Sequence, residues 1–98
     1  MIEDFKKVEL LLNDIDKALT TPIRAYIIGG ATLLYRGIKP ATKDIDIVVE
    51  TRQEFIELQK ALDEINFAPT LVGKEYTHMN LSQIFQRGEF RIDLFEKE

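Results

Sequence analysis

The segment DIDIVVE, residues 44–50, constrains the fold more than any other part of the chain. Read as a strand, it sends successive side chains to opposite faces. Asp44 and Asp46 then share one face while Ile45 and Ile47 share the other. A strand of this kind needs a sheet with one packed face. Aspartate is a poor strand former, so two within three residues call for a reason. An ordinary solvated sheet face would supply one, but Val48 continues the aspartate face as apolar rather than polar.

The rest of the chain supplies packing partners for such a sheet. Residues 2–19 predict a helix, because Phe5, Val8, Leu12, Ile15 and Leu19 recur at spacings of three and four and form one stripe. Thr20-Thr21-Pro22 stops it. Residues 23–28 form a short β-compatible run that ends at Gly29-Gly30. Residues 31–35 are helix-prone, with Gly37 as a stop and Lys39-Pro40 as a loop. After the aspartate strand, Thr51 and Glu54 match a capping box, and the helix they open carries Phe55, Leu58, Leu62 and Ile65 on one face. Residues 81–86 and 90–95 read as two strands joined across Arg87-Gly88-Glu89. The expectation is an α+β fold in layers: a mixed sheet of about four strands packed against about three helices, with residues 1–98 as one domain.

Composition narrows the functional classes. With no cysteine, disulfides and thiolate metal sites are excluded. The longest nearly apolar run, residues 25–35, is too short to span a bilayer and is interrupted by Gly29 and Gly30. The start Met-Ile-Glu-Asp lacks the basic residues of a secretory signal, so a cytoplasmic location is expected. A net charge of −4 at pH 7, with no dense block of Lys or Arg, does not suit an autonomous nucleic-acid binder. Binding of a small triphosphate is compatible with it.

The chemistry concentrates on three carboxylates. The Cα atoms of Asp44 and Asp46 stand roughly 6.5 Å apart on an extended strand, so both can converge on one small cation. Without a cation, their mutual repulsion raises at least one pKa. Oxygen donors of this kind suit Mg²⁺, which takes one or two protein carboxylates and completes its shell with water and substrate phosphate. Gly29-Gly30, between a strand and a short helix, permits close approach of a ligand to the backbone, although an ordinary tight turn would use the same residues. Asp93, within FRIDLF, is a lone carboxylate in an apolar strand pattern. Beside Asp44 and Asp46 it would complete a cluster.

This combination resembles the polymerase-beta-like nucleotidyltransferase superfamily. The resemblance rests on Gly29-Gly30, a gap of about a dozen residues, the apolar-flanked Asp44-Ile45-Asp46, and Asp93 on a later strand. The wording GGATLLYRGIKPATKDIDIVV is similar to the minimal bacterial and archaeal branch, which includes nucleotidyltransferases of abortive-infection and toxin–antitoxin systems. The resemblance implies transfer of a nucleoside monophosphate from an NTP to a hydroxyl acceptor on RNA, protein or a small molecule. It further implies two Mg²⁺ ions, or Mn²⁺, bound by Asp44 and Asp46, with Asp93 holding the ion that activates the acceptor. Gly29 and Gly30 would grip the β- and γ-phosphates.

Thr42 shares the Asp44 face if the strand starts early and can touch phosphate or metal-bound water. Arg36 and Lys43 can neutralise phosphate, and can equally be exposed structural residues. The only histidine, His78, lies in the polar stretch GKEYTHMN and reads as a solvated loop residue. A rival reading keeps the same fold as a catalytically weak partner or antitoxin module, in a homo-oligomer or with another protein. A third makes the aspartates plain surface residues, and it requires that they do not converge.

Overall fold

Asp4 decides where the first helix starts. Its side chain accepts a hydrogen bond from the Lys6 N–H at 2.9 Å, which satisfies a donor that the first turn leaves unpaired. Helix α1 therefore runs Phe5–Ala18, starting at the first residue of the apolar stripe and three residues after the start expected at residue 2. The computed structural model describes residue 2 and residues 4–29, 44–70 and 83–97. The helix expected over residues 31–35 lies outside them.

Strand β1 (Ala25–Ile28) precedes β2 (Ile45–Val49), and α2 (Arg52–Glu64) follows. Thr51 caps α2 as the sequence predicted, accepting from the Glu54 N–H at 3.1 Å. The Glu54 carboxylate accepts from the Thr51 hydroxyl at 2.9 Å and, with its other oxygen, from the Arg24 N–H at 2.8 Å. One side chain thus ties the start of α2 to the segment entering β1. These donors hold the Glu54 carboxyl below its usual range, the Arg24 N–H contributing most.

Helix α2 ends in a Schellman motif. Phe67 N–H donates to Leu62 O at 2.9 Å and Asn66 N–H to Asp63 O at 3.0 Å. Asn66 takes the left-handed conformation this requires, with φ of 73°. The turn drops Phe67 into the core and starts β3 (Ala68–Thr70). This fifth strand corrects the expected count of four. It is three residues long and contains Pro69, which has no N–H to give a ladder. Periodicity cannot register so short a run, and proline is tolerated because β3 pairs on one side only, with β4.

Strands β4 (Gln83–Arg87) and β5 (Phe90–Glu96) form the expected hairpin. The turn is the pair Gly88-Glu89, and Gly88 takes a φ of +59°, the positive value a tight hairpin needs at its first central residue. The sheet order is β1-β2-β5-β4-β3, with β2–β5 parallel and every other neighbouring pair antiparallel. The architecture is α+β: a mixed five-stranded sheet with two helices among the described residues.

Both helices contribute to one apolar core. Val8, Leu11 and Ile15 of α1 and Phe55, Leu58, Ala61 and Leu62 of α2 are buried with Ile45, Ile47 and Val49 of β2 and Ile92 and Leu94 of β5. The stripe of α1 is centred on Leu11 rather than Leu12; Leu12 is only partly buried at the edge of the core. Among the described residues, no helix is long and apolar enough to cross a membrane.

This packing separates two neighbouring leucines. Leu11→Ala is expected to cost about 2–5 kcal/mol, as for a buried leucine. Leu12→Ala is expected to cost on the order of 1–2 kcal/mol, in keeping with its partial burial. Chemical denaturation of the two variants checks the ranking, and a larger loss at Leu12 would mean that α1 is rotated on the core.

Candidate metal centre

The register of β2 and β5 builds the site. Ile45 lies beside Ile92, Asp46 beside Asp93, and Ile47 beside Leu94. Because paired residues point to the same face, the isoleucines and Leu94 enter the core while Asp46 and Asp93 emerge together on the opposite side. Asp44, just before β2, points the same way as Asp46. One carboxylate oxygen from each of Asp44, Asp46 and Asp93 lies within 4.8 Å of the others. The three residues can hold a metal ion. The plain-surface reading, which required that they diverge, fails on this point.

The carboxylates differ in their surroundings. Asp93 is 2% exposed, whereas Asp44 and Asp46 are half-buried. Arg91, two residues before Asp93 and therefore on the same face of β5, reaches into the cluster. Its Nε donates to Asp93 Oδ1 at 2.9 Å and its Nη2 to Asp93 Oδ2 at 3.4 Å. Its Nε also stands 4.0 Å from Asp44 Oδ2. Arg91 is the site residue that the reading of the sequence missed. The signal was present: on a strand, the spacing of two that joins Asp44 to Asp46 also joins Arg91 to Asp93.

Asp46 shows the effect of crowded negative charge. Its carboxyl is pushed from the ordinary 3.8 up to about 6, first by burial and then by Asp44 and Asp93, with Arg91 acting in the opposite direction. Repulsion among the aspartates was expected to raise at least one of them, and at Asp46 it adds to the larger effect of burial.

Gly29 borders the same carboxylate. It follows β1 directly, and Ile28 is paired with Asp46. Its φ is +74°, and a Cβ built there would come within 2.5 Å of Asp46 Oδ2. The glycine is therefore required twice, by backbone conformation and by the room Asp46 occupies. Gly30, Arg36, Thr42 and Lys43, the other residues expected to grip phosphate, lie outside the described residues, as does His78. Tyr26 and Ile28, 49% and 47% exposed, stand on the carboxylate face of the sheet and flank the cluster with apolar surface. The Tyr26 hydroxyl donates to Glu50 Oε1 at 2.7 Å.

Compared with models of known protein families, with characterised proteins and with solved structures, the chain matches none. The site therefore has to be read from its own geometry.

Two outcomes follow from that geometry. A carboxyl whose folded pKa lies above its unfolded value destabilises the fold once ionised. For Asp46 that penalty is absent below about pH 4, grows as the pH rises, and is complete above about 6. Asp46→Asn is expected to remove this decline, raising the stability of chelator-treated protein at pH 7–8 by on the order of 1–2 kcal/mol, discounted for solvent around a half-buried group. Denaturation midpoints across pH 4–8 check it, and parallel profiles for the two proteins would show that Asp46 carries no such burden. Gly29→Ala is expected to weaken divalent-metal binding as well as stability, because its methyl group displaces the Asp46 carboxylate. Calorimetric titration with Mn²⁺ checks this; an unchanged affinity would mean that the turn can shift without moving Asp46.

Proposed function

We propose that the protein is a metal-dependent nucleotidyltransferase, which moves a nucleoside monophosphate from an NTP to a hydroxyl acceptor. The observation that carries this reading is the convergence of Asp44, Asp46 and Asp93 on adjacent strands beside the Gly29 turn. The donor set is oxygen only, which suits hard cations such as Mg²⁺ and Mn²⁺. Oxygens bound to a single Mg²⁺ at about 2.1 Å stand no more than about 4.2 Å apart. Separations of up to 4.8 Å thus fit one ion after small carboxylate rotations, or two ions that share the cluster. The carboxyl of Asp46, raised by burial and then by Asp44 and Asp93, is a group whose ionised form a bound cation would favour.

In this reading Asp44, Asp46 and Asp93 would hold the divalent ion or ions, with Asp44 and Asp46 serving the triphosphate and Asp93 the acceptor. Bound Mg²⁺ supplies charge neutralisation at the phosphates and lowers the pKa of the attacking hydroxyl. The acceptor oxygen forms a bond to the α-phosphorus while the bond from that phosphorus to the α–β bridging oxygen breaks. Pyrophosphate leaves with the electron pair, and the hydroxyl proton passes to a carboxylate of the cluster or to water. The absence of a side chain at Gly29 makes room for the Asp46 carboxylate at the end of β1. Tyr26 and Ile28 offer a surface on which an apolar or aromatic part of a substrate can rest.

Titration with Mg²⁺ or Mn²⁺ and each NTP, read by NMR or calorimetry, tests the proposal. NTP binding is expected to depend on the metal. Asp93→Asn is expected to lower transfer on the order of 10²-fold or more while sparing much of the NTP binding. Metal-dependent NTP binding without transfer to any hydroxyl acceptor would point instead to a binding or partner module. Absence of both metal and NTP binding would end the enzyme reading.

A further inference from the structure

Arg91 places a permanent positive charge in a site whose three carboxylates are suited to a divalent cation. The guanidinium forks onto Asp93 through Nε and Nη2, at 2.9 and 3.4 Å, and its Nε is 4.0 Å from Asp44 Oδ2. Its side chain is about one-third exposed, so the head group reaches the cluster from the solvent side and not from the core. Both oxygens of Asp93 are engaged by it. A metal ligated by Asp93 must therefore share an oxygen with the guanidinium or displace it. Ion pairing of this kind stabilises a carboxylate that is 2% exposed.

We propose that Arg91 is a positioning residue and an internal counter-cation of the cluster: it holds Asp93 in place while no metal is bound and gives up part of its fork when a divalent ion arrives. This rests on the reading that Asp44, Asp46 and Asp93 bind such an ion, and adds to it a competition within the protein. Among the described residues, the guanidinium offsets one of the three carboxylate charges, so an arriving divalent ion meets a positive charge that it would not meet without Arg91. A unit charge about 5 Å from a divalent ion costs about ten-fold or more in affinity even at the dielectric of bulk water. Arg91 thus keeps divalent binding weak and reversible, and metal binding loosens the side chain that orders Asp93 in its absence.

Calorimetric titration of Mn²⁺ into wild type, Arg91→Gln and Arg91→Lys tests this, with denaturation of each chelated protein alongside. The glutamine variant is expected to be less stable without metal and to bind Mn²⁺ about ten-fold or more tighter. The lysine variant, which keeps the charge but loses the fork, is expected to stay near wild-type affinity. A merely structural Arg91 would leave Mn²⁺ affinity unchanged or weaker in the glutamine variant, and that result overturns the proposal. The wild-type protein gives an independent reading should a variant fail to fold. On saturation with diamagnetic Mg²⁺, the Arg91 Nε–H resonance is expected to shift and to exchange faster with solvent. If it keeps its position and protection while the aspartate signals move, the fork is retained and the proposal fails. If neither wild type nor folded variants bind metal, the metal reading itself falls and takes this inference with it.

Discussion

The parallel pairing of β2 with β5 is the constraint on which the rest of the molecule depends. It aligns Ile45, Ile47 and Val49 with Ile92, Leu94 and Glu96, so that five apolar side chains enter the core from two neighbouring strands. The same register sets Asp46 beside Asp93 on the opposite face. Burial and charge repulsion oppose that arrangement, and together, burial first, they raise the pKa of Asp46. Apolar packing decides the contest. Each apolar side chain contributes about 1.5–3 kcal/mol when fully buried, so together they outweigh a penalty of about 3 kcal/mol at most at Asp46. A slip of one residue would relieve the carboxylates only by sending them into the core, which is far costlier. The hydrophobic face therefore holds the acidic face in a geometry that it would not choose on its own.

Much of this was legible because it follows short-range rules. Alternation in residues 44–50 gave both faces of β2, the Thr51–Glu54 spacing gave the start of α2, and Gly88 gave the hairpin. The parts that escaped the sequence are set by tertiary contact. Leu11 and Leu12 are equivalent in a helical pattern, and only the docking angle of α1 on the sheet selects Leu11 for the core. Strand β3 is too short to show a period and owes its existence to a ladder with β4. Arg91 was hidden for a different reason. A lone arginine in a strand reads as an exposed cation, and its role depends on the register that brings Asp44 level with it. The convergence of Asp93 with the Asp44–Asp46 pair was conditional on the two strands being neighbours, which the structure shows they are.

Glu54 links the start of α2 to the position of the site. By accepting from Arg24 and Thr51, it couples the first turn of α2 to the approach of β1. Strand β1 ends at Ile28 and is followed by Gly29, which borders the Asp46 carboxylate. A helix cap on one side of the sheet thus helps to set how close a glycine turn comes to a carboxylate on the other. The connection runs through backbone that is already fixed by pairing, so it requires no moving part.

The pairing of Asp46 with Asp93 joins positions 47 residues apart in the chain. Closing a flexible loop of that length costs about 3 kcal/mol in chain entropy, beyond a constant term, before any contact across it is gained. The β4–β5 hairpin, by contrast, closes over two residues and forms on a microsecond scale when left to itself. Long-range parallel pairing of this kind is slow. The order of events this favours is hairpin first, with β2 added afterwards to an edge already made. Asp44 and Asp46 are neighbours in sequence from the start, but Asp93 joins them only after the slowest closure is complete. The three-carboxylate cluster is then a property of the finished molecule, and its assembly marks the end of folding rather than its start.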